Sequence, residues 1–290
     1  MTTIEFAKGH GTGNDFLLIP DAEGKRALGS DQIAQLCHRR TGIGGDGLIR
    51  VVPTATYLEE AARSQATDEF AFGEDPLRDD PRVAAAEWFM DYYNADGSPS
   101  EMCGNGVRVF ARYLLENDLA LGPDIPVATR AGVKMVRVDG DNLVVDMGAA
   151  EFGPSSQVSI DGFAWAGQSV SMGNPHLVCH LGSRREVEEL ELASTPVVDP
   201  AVFPHGTNVE FIAGDGDHIY MRVFERGVGE TASCGTGTCA AAAVALRHSG
   251  SDTGHCQVDV PGGSLYLTLT EDTIFMSGPA VIVASGMVRF

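Results

Sequence analysis

Two cysteines stand in the same short frame. Residues 101–106 read Glu-Met-Cys-Gly-Asn-Gly, and residues 232–237 read Ala-Ser-Cys-Gly-Thr-Gly. An apolar run of helical character follows each, which places Cys103 and Cys234 at the mouths of two helices. A helix N-terminus presents free backbone N–H groups and partial positive charge. Such an end holds a carboxylate and lowers a thiol pKa. Two of them facing one another would combine two thiols with an anion cradle. That is equipment for carrying a proton from one face of an amino-acid α-carbon to the other.

An α-proton is weakly acidic, so its removal needs help. Pyridoxal phosphate would need a lysine Schiff base. The chain has three lysines, Lys8, Lys25 and Lys134; Lys134 lies in an alternating run, and none has a recognisable phosphate-binding context. A cofactor-free route is favoured, with preorganised donors around the carboxylate whose charge grows. The backbone N–H groups of Gly104, Asn105 and Gly106, and of Gly235, Thr236 and Gly237, are the candidates. Glycines there permit close backbone approach. One cysteine then acts as thiolate base and the other as thiol acid. An ordinary thiol, of pKa about 8.5, is brought toward the working pH by a helix terminus.

These residues must be carried by something rigid. Short alternating runs, such as 134–139, 220–225, 265–270 and 281–284, read as strands with turn residues between them. Helices are expected over 30–39, 105–116 and 237–247. The last of these is apolar on every side and must be enclosed. A mostly β wrapping around a central helix follows. Each half of the chain runs from a β-rich stretch to a cysteine-fronted helix and on to more strands, the mark of two similar domains, with a boundary near Asp146 and Met147. Residues 53–87 break the pattern. Their excess of Asp and Glu reads as a solvated acidic surface insertion.

Composition narrows the function. The chain has 290 residues, 43% of them hydrophobic, and a net charge of −20. Nucleic-acid binding needs clustered Lys and Arg, so this balance argues against it and for a small-molecule substrate. The N-terminal residues carry no basic region followed by an apolar stretch, so no signal peptide is expected, and no run approaches a membrane span. The chain is read as cytoplasmic, with reduced thiols. Cys37, Cys179, Cys239 and Cys256 lack the Cys-Gly-X-Gly context and are expected to be structural; no spacing suggests a metal site.

An ordered set of motifs spans almost the whole chain: Lys8-Gly-His-Gly-Thr-Gly-Asn-Asp-Phe16, Gly42-Ile-Gly-Gly-Asp46, Tyr93-Asn-Ala-Asp-Gly-Ser98, Cys103-Gly-Asn-Gly106, Met172-Gly-Asn-Pro-His176, Asn208-Val-Glu210, Glu225-Arg-Gly-Val-Gly-Glu-Thr231, Cys234-Gly-Thr-Gly237 and Pro261-Gly-Gly263. In this the chain resembles the diaminopimelate epimerases, cofactor-independent two-cysteine enzymes of bacterial lysine and peptidoglycan-precursor synthesis. The resemblance implies an α+β fold of two pseudo-symmetric domains, each a β-barrel-like sheet wrapped around a central helix. It assigns 1–147 plus 278–290 to the first domain, with the acidic insertion at about 53–87, and 148–277 to the second.

The same resemblance implies Cys103 and Cys234 as the acid and base pair. Gly104, Asn105, Gly235 and Thr236 would offer amides to the reacting carboxylate. Glu225 would accept from an ammonium group, and Arg226 would clamp a carboxylate. Asn94, Asn174 and Asn208 would bind the distal amino-acid end, Asn14 would line the site, and His176 would support the thiols. It further implies no cofactor, no metal and a homodimer. One departure is Gly47, which follows Asp46 where many family members carry glutamine, so Gly47 is left out of the site. A proline or hydroxyproline racemase of the same fold would have no second amino-acid end for these asparagines. A thiol redox protein is disfavoured by the absence of a Cys-x-x-Cys motif.

Overall fold

Alternating β-branched and apolar residues build eighteen strands, and six helices interrupt them, among the residues described by the computed structural model, 3–26, 28–65, 77 and 80–289. The chain divides into two compact units. Unit 1 comprises Met1–Gly11, Asp15–Leu143 and Ala280–Phe290; unit 2 comprises Thr12–Asn14 and Val144–Pro279.

The first half of the chain contributes β1 (Thr3–Gly11), β2 (Asn14–Pro20), α1 (Ser30–Cys37), β3 (Gly47–Pro53), α2 (Thr54–Gln65), α3 (Pro81–Ala85), β4 (Trp88–Asn94), α4 (Gly104–Glu116), β5 (Asp124–Thr129), β6 (Gly132–Asp139) and β7 (Asn142–Asp146). β2 and β3 pair parallel, β3 and β4 antiparallel, β4 and β5 parallel, and β5 and β6 antiparallel.

The second half contributes β8 (Glu151–Ile160), β9 (Phe163–Ser171), β10 (Pro175–His180), α5 (Arg184–Glu188), β11 (Val197–Val198), β12 (Asn208–Asp215), β13 (His218–Glu225), β14 (Gly229–Thr231), α6 (Gly235–His248), β15 (Gly254–Val260), β16 (Gly263–Leu269) and β17 (Ile274–Pro279). Here β10 and β12 are parallel, β12 and β13 antiparallel, β13 and β15 parallel, and β15 and β16 antiparallel. The order of pairings repeats that of unit 1, and in each unit the cysteine-fronted helix lies in the crossover to the last hairpin. β18 (Val281–Arg289) returns to unit 1 and pairs antiparallel with β1.

α6 is buried from Thr238 to Leu246, as its all-round apolar sequence requires. Its unit has a core of Val158, Ile160, Leu177, Val209, Phe211 and neighbours. In unit 1, Ile4, Leu17, Ile19, Ile33, Leu36 and Leu48 pack one apolar cluster, and Val52, Val83, Phe89 and Ala128 another.

The described start of the acidic segment, α2, is tied to the fold. Buried Arg50 on β3 donates to both carboxylate oxygens of Glu60 on α2 at 2.8 Å, and to Asp21 at 2.7 Å. Tyr57 of α2 stacks on Phe89 with ring centroids 3.6 Å apart. Residues 66–76, 78 and 79, which carry Asp68, Glu69, Glu74, Asp75 and Asp79, lie outside the described residues. Among the described residues no helix is long and apolar enough to cross a membrane.

Candidate active site

Each cysteine stands at the N-cap of its helix with almost the same backbone. Cys103 before α4 has φ −137° and ψ 122°; Cys234 before α6 has φ −123° and ψ 118°. At Cys234 this extended conformation turns a first-turn N–H, that of Gly237, toward the sulfur at 3.4 Å. The carbonyls of Cys103 and Cys234 accept from Val107 and Thr238 at 2.8 and 2.9 Å, which starts each helix. A Cβ on Gly106 would lie 3.4 Å from that of Cys103, and one on Gly237 would lie 3.3 Å from that of Cys234. The last glycine of Cys-Gly-X-Gly therefore packs against the cysteine itself.

Unit 1 holds Asn94, Cys103, Gly104 and Asn105. Asn94 ends β4, and its Nδ2 donates to Ser98 Oγ at 3.0 Å. The Asn-Ala-Asp-Gly turn is closed by Ser98, whose N–H and hydroxyl both donate to Asp96 Oδ1. Arg130 Nη1 donates to the carbonyls of Tyr92 and Ser100, and Arg130 also pairs with buried Asp91. The loop from Asn94 to Cys103 is thereby bolted to β4. Asn105 is fully buried and accepts from Arg108 Nη2 at 2.8 Å. Gly47 opposes Asn94 in the β3–β4 register, and a Cβ there would meet Tyr92 Cε2 and the Tyr93 carbonyl at 2.6 Å. Any side chain at this position would therefore have to displace Tyr92 and the Tyr93 backbone.

Unit 2 holds Asn14, Asn174, His176, Asn208, Glu225, Arg226, Cys234, Gly235 and Thr236. Thr12 donates to Ser233, beside Cys234, at 2.9 Å. Asn208 latches two strands: its Nδ2 donates to the Pro175 carbonyl at 3.1 Å, and its Oδ1 accepts from Arg226 N–H at 2.9 Å. Arg226 Nη1 reaches the His205 carbonyl at 3.3 Å. Glu225 accepts from Thr231 at 2.5 Å.

Cys234 is 7% exposed, and its sulfur accepts from Gly237 N–H at 3.4 Å and lies 3.6 Å from Thr236 Oγ1. Asn174 Nδ2 donates to that hydroxyl at 3.3 Å, and Asn174 Oδ1 lies 3.0 Å from His176 Nε2. The structure thus joins four of the sequence-derived residues, His176, Asn174, Thr236 and Cys234, in one chain.

The Cys234 thiol contradicts one expectation. Burial pushes its pKa well up, the negative charges of Glu225 and Glu210 push it further, and the Gly237 N–H and Thr236 hydroxyl oppose them without prevailing. The helix terminus acts as expected but is outweighed, because a thiolate withdrawn from water loses its hydration. Cys37, Cys179 and Cys256 are each pushed up to about 12, chiefly by burial.

Glu210 is a functional candidate that motif reading passed over. It sits on β12 with Oε1 2.7 Å from His176 Nδ1, and both side chains are 0% exposed. The signal was available: a glutamate inside the apolar run Asn208-Val-Glu-Phe-Ile-Ala is costly to bury without a specific partner.

Comparison with known proteins identifies the family. The diaminopimelate epimerase family model matches residues 6–153 and 168–283. A diaminopimelate epimerase of Mycolicibacterium smegmatis is 44% identical over 97% of this chain and 95% of its own length. One from Rhodococcus opacus is 43% identical over 98% and 96%. Among solved structures, a predicted epimerase of Pseudomonas aeruginosa superposes with TM-score 0.67 at 14% identity, covering 99% of both chains. A hydroxyproline epimerase of Agrobacterium vitis gives 0.61 at 13%, covering 99% of this chain and 92% of its own. At these identities the two structures speak for the fold alone.

Proposed function

Because the chain belongs to the diaminopimelate epimerase family, we propose that it inverts one α-carbon of LL-2,6-diaminopimelate to give the meso isomer. The reaction uses no pyridoxal phosphate. The observation that carries this reading is the duplicated cap: two cysteines in one backbone conformation, each followed by glycine-flanked first-turn amides.

One cysteine, as thiolate, takes the α-proton, and the other, as thiol, delivers a proton to the opposite face. The amides of Gly104, Asn105, Gly235 and Thr236 hold the carboxylate on which charge develops. Glu225 accepts from an ammonium group, Arg226 forks onto a carboxylate, Asn94, Asn174 and Asn208 bind the distal amino-acid end, and Asn14 lines the site. Selectivity follows from that polar load. A substrate lacking the second amino-acid end leaves several groups unpaired at about 1–3 kcal/mol each. Residues 1–147 with 278–290, and residues 148–277, act as the two epimerase domains. The enzyme is read as a cytoplasmic homodimer that supplies lysine and peptidoglycan precursors; sedimentation tests the dimer.

The test is incubation of LL-diaminopimelate with reduced protein in deuterated water. Meso product carrying deuterium at one α-carbon is expected. Absence of exchange with both thiols demonstrably free would sink the assignment.

A further inference from the structure

Glu210 is buried against Gly237, the last glycine of the Cys234 frame. A Cβ on Gly237 would lie 2.5 Å from its Oε1, so the carboxyl fills the space that a side chain would take. Its Oε2 has no hydrogen-bond partner among the described residues. A buried carboxyl held this way costs stability, and its one strong contact is the 2.7 Å approach to His176 Nδ1.

The orientation of the Asn174 amide decides where the protons are. Asn174 Nδ2 donates to Thr236, which leaves Asn174 Oδ1 facing His176 Nε2. Nε2 therefore carries a proton. The Nδ1 contact to Glu210 needs a second one. Imidazolium beside carboxylate and imidazole beside carboxylic acid both satisfy this, and both give a pair without net charge, as full burial favours. Thr236, having accepted from Asn174, has its own O–H left to donate to the Cys234 sulfur at 3.6 Å.

We propose that Glu210 is a positioning residue for Cys234. It holds His176 in the form protonated on Nε2, so that His176, Asn174 and Thr236 donate in one direction, each onto the next and finally onto the sulfur. Donors aligned this way reinforce one another. Without Glu210 the ring is released to its other tautomer. Asn174 then turns its amide over, and Thr236 loses the contact that aims its hydroxyl. Charged groups facing the thiol from other elements are Glu225 on β13 and Glu210 itself on β12. The inference deepens the epimerase reading and rests on it for its kinetic test alone.

The experiment compares wild type, Glu210→Met and Glu210→Gln by turnover and by the pH profile of Cys234 alkylation, read by peptide mass mapping. Both variants remove the Glu210 charge that pushes the thiol up, so the two are read against each other: Glu210→Met is expected to lower kcat at least tenfold and to place the Cys234 profile at least half a pH unit above that of Glu210→Gln. The glutamine amide can donate to Nδ1 and keep Nε2 protonated, so Glu210→Gln is expected to recover most of the turnover. A Met variant that is merely less stable, with the same Cys234 profile as Glu210→Gln, overturns the proposal, as do equal losses of turnover in both variants. Nitrogen NMR of the His176 ring in wild type decides the matter even if neither variant folds. A protonated Nε2 is expected, and a bare Nε2 overturns the proposal. Wild-type protein that fails to epimerise would refute the substrate assignment and leave the alkylation and NMR results to judge Glu210 separately.

Discussion

Cys103 and Cys234 begin their helices with matching backbones, and beneath the matching glycines the two units diverge. A Cβ on Gly106 would meet the thioether tip of Met90 at 2.8 Å, whereas one on Gly237 would meet the Glu210 carboxyl. Unit 1 thus backs its thiol frame with a flexible apolar side chain, and unit 2 with a carboxyl tied to a histidine. The helices differ likewise. α4 carries buried Arg108 within its first two turns, while α6 is a run of alanines and other small or apolar residues. Duplicated frames keep the amide cradle alike because on the proposed mechanism both ends hold one carboxylate. On that mechanism the surroundings of each sulfur are free to differ, since the two thiols would address opposite faces of one carbon.

The most severe test is loss of either sulfur. Cys103→Ala and Cys234→Ala should each reduce epimerisation by roughly a thousandfold, within the range for loss of a general acid or base, with circular dichroism unchanged. Full turnover in either variant breaks the pairing of the two frames.

Reactivity should then separate them. Cys103 is half-buried and Cys234 buried. In reduced protein near neutral pH, iodoacetamide should label Cys103 about tenfold faster or more, following exposure. Labelling of Cys234 should keep rising at pH values where an ordinary thiol has levelled off, because its pKa is raised by burial and by Glu225 and Glu210. Equal rates at both sites would erase the difference between the units.

A smaller contrast is expected from the glycines. Gly106→Ala displaces a methionine tip that can move and should cost about 1 kcal/mol. Gly237→Ala displaces a carboxyl anchored by His176 and should cost about 3 kcal/mol. Urea unfolding measures both, and a reversed order would mean that Glu210 is the looser neighbour.

The mildest effect concerns acid. Burial alone would raise the Asp259 carboxyl, but hydrogen bonds from Ser264 and Gln257 and the His218 ring outweigh it and bring it down to about 2, below its ordinary 3.8. A depressed carboxyl stabilises the folded state above the ordinary value, and that stabilisation is lost as pH falls through the folded one. Discounted for partial exposure, Asp259→Asn should cost unit 2 about 1 kcal/mol at pH 6. The gap to wild type should close between pH 4 and pH 2. A gap that persists at pH 2 would assign the loss to packing.

Much of this was legible in the residues. The repeated frame announced two capped helices, and α4 and α6 begin at Gly104 and Gly235, within two residues of the sequence reading. Strand partners were not legible, because periodicity tells which face of a strand is buried and not which strand lies beside it. That is why the parallel pairs of β2 with β3 and β10 with β12 emerge only in three dimensions. The anchoring of Glu60 was not legible for a related reason: nothing near it in sequence points to Arg50 as its partner. The Cys234 thiol misled because a motif shows the helix end and hides how deeply tertiary packing buries the sulfur.

One further consequence lies in the pairing of β1 with β18. These strands come from opposite ends of the described chain, so during synthesis β1 waits for its neighbour until residues 281–289 have been made. The Ala280 carbonyl that accepts from Arg112 on α4 arrives equally late. Unit 2, drawn almost wholly from residues 144–279, has its strands to hand earlier. The half of the molecule that starts first on the ribosome is therefore the half that finishes last, and its open β1 edge is where a nascent chain is most exposed to mispairing.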